Sequence, residues 1–209
     1  MEHISKLLPD LHKQDSRLQK QQPTSQKGLV KSEKAGVILK HFPIQKDFVV
    51  NMNHLALEKK YSSFKTIGDA YNTNFIKLSE LQGIYSIEAP GMLIESWIMQ
   101  LALFLDLPVN KDQIKELAWL IFEDNHFLNI AEMTLLFTRI KKGYYGQFFN
   151  RIDPVEILRW CREYRKERGN YISKLPDGYE SPELKKAKEE YYQQIKSDKE
   201  LYNLQDESK

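Results

Sequence analysis

The densest chemistry in this 209-residue chain lies between positions 139 and 168. The run Arg139-Ile-Lys-Lys-Gly-Tyr-Tyr-Gly-Gln-Phe-Phe-Asn-Arg-Ile-Asp-Pro interleaves four aromatic side chains with four basic ones. Aromatic faces stack on unpaired bases while Lys and Arg hold phosphates, so this mixture suits a single-stranded nucleic acid. The same residues support a second reading. Rings in a short interhelical connector plug the end of a helical core, and Gly143 and Gly146 let its backbone turn. The two readings are compatible, with some rings inward and the cations outward.

Beyond the connector, Arg159, Arg162 and Lys166 follow at offsets of three and four, which places them along one helix face, with Arg165 and Arg168 nearby. Glu156, Glu163 and Glu167 are interleaved and can pair with them locally, which describes an ordinary solvated charged face. The candidate nucleic-acid-binding residues are Lys141, Lys142, Tyr144, Tyr145, Phe148, Arg151, Arg159, Arg162 and Lys166, with Phe149 beside them. Arg suits phosphate or carboxylate through its forked donors.

Other chemistry is sparse. Glu123-Asp124-Asn125-His126 offers oxygen and imidazole ligands, but at a helix end and without a second cluster of matching spacing, so a polar last turn explains it and no metal is expected. Cys161 falls on the inward side of a helix, where a cysteine is a small apolar residue, and no histidine stands close in sequence to form a dyad. Gly143 and Gly146 lack the Gly-Lys-Ser/Thr of a phosphate-binding loop, which disfavours an ATP-driven role. No catalytic residue and no cofactor is expected, and the sequence reads as a binding protein, not an enzyme.

The composition bounds the rest. Hydrophobic residues make up 41% of the chain, enough for a core, and the single cysteine excludes an internal disulfide and a thiolate zinc cluster. The apolar run Ser96 to Leu105 is about half the length of a membrane span, and Met1 to Lys20 alternates charges where a signal peptide needs an apolar stretch. A cytoplasmic protein with no membrane partner is the expectation. The net charge of +2 hides segregation: residues 139–174 carry ten Lys and Arg against four Asp and Glu, a net of +6, whereas residues 51–138 net −5. Such local fields steer association more than the total does.

The elements that must position these residues read as helices. Residues 1–46 are polar, with Pro23 and Gly28 as breakers, and are expected to form a flexible arm. Within the arm, Ile4, Leu7, Leu8 and Leu11 have helical spacing. Val49, Met52, Leu55 and Ala56 predict one helix over 48–61, and a second pattern covers 76–84. Pro90-Gly91 opens a core helix through Leu93, Trp97, Ile98, Leu101 and Phe104 that stops before Pro108. Asn110 with Gln113, and Asn129 with Glu132, have capping-box spacing, and Gly143 can end the second of these helices in a left-handed conformation. Asp153, Pro154 and Glu156 combine an N-cap, a first-turn proline and an early acid before a helix running to about Gly169. Ser181-Pro182-Glu183 opens a last, highly charged helix. The resulting expectation is an all-α protein: an arm over 1–46, a compact helical domain over 47–172, and a loop with a charged helix over 173–209.

Three pieces of this pattern, Asn129-Ile-Ala-Glu-Met, the connector from Lys142 to Pro154, and Tyr164-Arg-Lys-Glu-Arg, resemble an uncharacterised family of short helical proteins from Bacteroides-like bacteria, their phages and mobile elements. The resemblance covers about residues 62–168. It implies a setting in DNA replication or mobility without an established activity. A looser similarity links the Trp97 and Trp119 helices and the arm to ATP-independent phage helicase loaders, which implies a replicative helicase as partner, beside the single-stranded DNA or RNA that the connector residues suggest. No motif transfers residue by residue, so this is analogy. The alternative is a protein-only adaptor or virion component acting through its arm and terminal helix. Oligomeric state is not legible.

Overall fold

The computed structural model describes residues 33–148 and 150–180, with isolated positions 182, 185, 186, 189 and 193. Among the described residues there are nine helices and no strand: α1 (Glu33–His41), α2 (Gln45–Asn51), α3 (His54–Lys60), α4 (Ile67–Tyr71), α5 (Leu78–Ile84), α6 (Ala89–Phe104), α7 (Lys111–Asn125), α8 (Ile130–Lys141) and α9 (Pro154–Ile172). The protein is all-α. None of these helices is long and apolar enough to cross a membrane.

The core is built around α6 and α8. In α6, Leu93, Ile94, Trp97, Ile98, Leu101 and Ala102 recur at helical spacing and are all buried, and this face packs along Ile114, Leu117, Ala118 and Ile121 of α7. In α8 the run Ile130 to Phe137 is buried all round, because α3, α4 and α9 pack against it. Ile157, Trp160, Cys161 and Tyr164 supply the buried side of α9.

The helix ends follow the capping chemistry. Asn110 Oδ1 accepts from the Asp112 and Gln113 amides, Asp153 Oδ1 accepts from those of Val155 and Glu156, and Asn129 with Glu132 forms a complete capping box. At the end of α8, Gly143 has φ +70° while the Tyr144 amide donates to the Arg139 carbonyl and the Gly143 amide to that of Ile140, the paired bonds of a Schellman stop. The end of α6 uses the same bonds, Leu107 to Ala102 and Asp106 to Leu103, but its left-handed residue is Asp106 with φ 52°.

Three differences from the sequence reading have physical causes. The single helix expected over 48–61 is two, α2 and α3. The Trp97 indole takes the Met52 carbonyl at 2.8 Å, and Asn53 then caps α3 by accepting from the Ala56 amide at 2.9 Å. Residues 33–46, expected as part of the arm, contain α1 and the start of α2. Ala35 and Ile38 of α1 are buried, and the Tyr85 hydroxyl holds the Phe42 carbonyl at 2.6 Å. The short α4 was not expected, although Thr66 and Asp69 give it a full capping box. Residues 1–32, including the Ile4 to Leu11 pattern, lie outside the described residues. Of the expected last helix, positions 182, 185, 186, 189 and 193 are helical and exposed, and the rest lies outside.

Replacing Asp106 by Gly should stabilise the protein. It removes a left-handed strain of roughly 1–2 kcal/mol at the cost of ~0.4–1 kcal/mol of unfolded-state entropy. A net gain of about 0.5–1 kcal/mol should appear as a raised urea midpoint with unchanged slope.

Candidate nucleic-acid interface

Residues 142–153 leave the α8 stop and return along one side of α9. The Arg139 guanidinium sits at the centre of this arrangement. Nη1 donates to Glu167 Oε2 at 2.8 Å and to the Tyr145 hydroxyl at 3.2 Å, and Nη2 donates to the Lys65 carbonyl at 3.3 Å. Tyr145 is half-buried, and burial pushes its hydroxyl up to about 12, with the Arg139 contact opposing that rise. Tyr145 is therefore a neutral donor and acceptor in the physiological range. Phe148 packs edge-on against Trp160 at 4.7 Å between ring centroids. At Gly146, φ +146°, a β-carbon would come within 3.3 Å of the Trp160 ring, so this position needs glycine on both conformational and steric grounds.

The connector aromatics thus divide. Tyr145 and Phe148 are packed against the domain. Tyr144 points outward with 63% exposure, its ring 4.8 Å from Arg139 Cζ. Phe149 lies outside the described residues.

The cations divide in the same way. Lys141 is largely buried, pairs with Glu58 at 2.7 Å and lies 4.4 Å from the Phe104 ring centroid. Arg159 is held between Glu156, at 2.6 Å, and Glu163. Arg165 pairs with Asp124 at 3.0 Å across to α7, and Arg168 with the buried Glu132 at 2.6 Å across to α8. Lys141, Arg165 and Arg168 are thus committed within the fold, whereas Arg159 is held at the surface by neighbours on its own helix. By contrast, Lys142, Arg162 and Lys166 are exposed and make no ion pair among the described residues, and the Arg151 side chain, 75% exposed, has only a loose 3.9 Å approach to Asp153.

At about 100° per residue, the inward side of α9 (Ile157, Trp160, Cys161, Tyr164) lies opposite an outward stripe of Val155, Arg162, Lys166 and Gly169. Arg159 and Glu163 stand between that stripe and the side on which the connector lies. The structure therefore brings Arg159, Arg162 and Lys166 onto adjoining strips of α9, and it withdraws Lys141, Tyr145 and Phe148 into packing. Arg151 stands apart, at a cleft by the start of α7 lined by Pro108, Val109 and Ile114.

Of the weaker constellations, Cys161 is buried, and burial pushes its thiol up to about 12, away from nucleophilic chemistry. In the 123–126 cluster, Asp124 is engaged by Arg165, Asn125 is buried, and His126 Nδ1 lies 3.0 Å from the Glu123 carbonyl oxygen. No grouping of three His, Cys, Asp or Glu that could hold a metal ion occurs among the described residues. Sequence reasoning missed a hydroxyl-lined cavity between α3 and α8, because its walls come from residues 58–64 and 134–142.

Helices surround the buried α8, and α9 carries an exposed basic flank. A model for a family of unknown function (DUF6633) matches residues 106–200, from the end of α6 through α9 and beyond. The match contains the connector and α9 in full. No curated protein and no solved structure matches the chain.

The packed and exposed rings should respond differently to truncation. Phe148→Ala is expected to cost about 2 kcal/mol, less than the ~3–5 kcal/mol of a fully buried Phe because the ring is half-buried. Tyr144→Ala should stay within about 0.5 kcal/mol. Thermal or urea unfolding of the two variants measures both.

Proposed function

We propose that the protein acts by binding and not by catalysis. In this reading it is an accessory protein of DNA replication, or of the DNA transactions of phages and mobile elements, that contacts a single strand of DNA or RNA. The observation that carries the proposal is the sorting of cations. The fold neutralises Arg139, Lys141, Arg165 and Arg168 internally, whereas Arg162, Lys166 and Lys142 remain outward and unpaired among the described residues, and the ring of Tyr144 is exposed. Unpaired outward cations release counterions when they meet phosphates, and an exposed tyrosine offers a stacking face. A replicative helicase or other replication protein is compatible with the same role, as the partner to which the strand is delivered.

A protein-only adaptor has separate support. Leu103 and Phe104, 77% and 61% exposed, project at the end of α6, and Val109 follows in the loop. Such apolar side chains suit a protein partner.

Salt separates the two readings. The wild-type protein should bind a labelled single strand with an affinity that falls steeply with salt. Arg162→Gln with Lys166→Gln should weaken binding and flatten the log–log slope by about 0.7 for each phosphate that is no longer neutralised. The unfolding transition should barely move, because exposed charges contribute little to stability. Absence of binding at low salt removes the nucleic-acid reading and leaves the adaptor.

A further inference from the structure

The cavity between α3 and α8 has a volume of about 270 Å³. That is just below the ~300 Å³ at which small-molecule pockets usually begin, so it admits one ring system and not an extended ligand. One wall is aromatic: Tyr61 and Phe64 stack with centroids 4.8 Å apart and an interplanar angle of 24°. The opposite wall is α8, which contributes Leu135 and the Thr138 hydroxyl, and Ser62 adds a second hydroxyl. Lys142, outward and unpaired among the described residues, stands at the connector end.

The polar groups have defined directions. His54 is buried behind this wall, and burial lowers its proton affinity, so its ring is neutral. Its Nε2 lies 3.4 Å from the Thr134 carbonyl oxygen and 3.3 Å from Thr138 Oγ1. A carbonyl can only accept, so Nε2 carries the hydrogen and Thr138 Oγ1 is its second acceptor. The Thr138 hydroxyl hydrogen is then left to donate. Glu58 gives Oε2 to Lys141 at 2.7 Å, which leaves Oε1 as an acceptor of a neutralised carboxylate. A donor and an acceptor beside an aromatic wall, with a lysine at the mouth, match a planar amide-type heterocycle carrying a phosphate.

We propose that this cavity takes one unstacked base of the bound single strand, between the Tyr61–Phe64 wall and Thr138, with the adjoining phosphate on Lys142. The proposal rests on the nucleic-acid reading and adds a base subsite to it. Proteins that recognise single strands commonly splay a base into such a recess.

The test compares a mixed-sequence single strand with one of equal length whose sugars are abasic, so that phosphates are matched and bases are not. By fluorescence anisotropy the wild-type protein should bind the base-bearing strand at least about ten-fold more tightly. Ser62→Trp, which fills the mouth from an exposed position, and Thr138→Val, which removes the donor, should each cut that preference by about five-fold or more without changing abasic binding, leaving only what stacking on Tyr144 contributes. Equal wild-type binding of both strands, or variants that keep the preference, overturns the base subsite and leaves the nucleic-acid reading standing. Absence of binding to either strand at low salt overturns both. A free mononucleotide should compete only at large excess. One that competes at concentrations equal to the strand would make the cavity a nucleotide site and overturn the strand proposal.

Discussion

The structure depends most on one buried carboxylate. Glu132, 1% exposed, accepts from Arg168 Nε at 2.6 Å and from the Asn129 amide at 3.1 Å, while Asn129 Oδ1 accepts from the Glu132 amide at 2.8 Å. The Asn129 side-chain amide donates in turn to the Ala70 and Thr73 carbonyls at 3.1 and 3.3 Å. One knot therefore starts α8, closes the end of α4 and ties α9 to both. Arg168 also lies 5.1 and 5.0 Å from the Tyr71 and Phe127 ring centroids, which replace part of the water it has lost. A buried pair is costly to form and costlier to break, since removal of one partner leaves the other charge unsolvated. Such a pair specifies the arrangement more than it adds net stability.

That arrangement decides which cations the surface can use. With α9 fixed against α8 through Arg168, its Trp160 and Tyr164 side turns inward, and the connector is drawn over Trp160 by Phe148 and over Arg139 by Tyr145. What remains outward on α9 is the strip of Arg162 and Lys166. The basic character of residues 139–174 is therefore divided between structure and surface, and a count of charges along the chain overstates the exposed basic face. The same packing places Thr138 and Lys142, one turn apart on the exposed edge of α8, at the cavity beside α3.

Much of the helical scaffold was legible because its signals are local. Asn110, Asn129 and Asp153 each precede an apolar periodicity and each accepts the amides their types predict. Gly143 ends α8 as its conformational freedom allows. Signals that depend on distant residues were not legible. The break at Met52–Asn53 needs the Trp97 indole 45 residues away, and α1 is held by Ala35, Ile38 and the Tyr85 bond to Phe42, too few apolar positions to show a period. The five-residue α4 is too short for periodicity, although its Thr66–Asp69 box was present to be read. At the candidate site the residue types were legible but their orientation was not. Whether Tyr145 or Tyr144 faces solvent is set by Arg139 and Glu167, 28 positions apart.

A double-mutant cycle at Glu132 and Arg168 tests this account at its root. Glu132→Gln and Arg168→Gln should each lose about 3–5 kcal/mol in urea unfolding, as expected when one member of a buried pair is removed. The double variant should lose less than the two together by at least ~1 kcal/mol, the coupling of groups in direct contact. Small, additive losses would show that the pair does not organise the fold, and the division of cations between interior and surface would then need another cause.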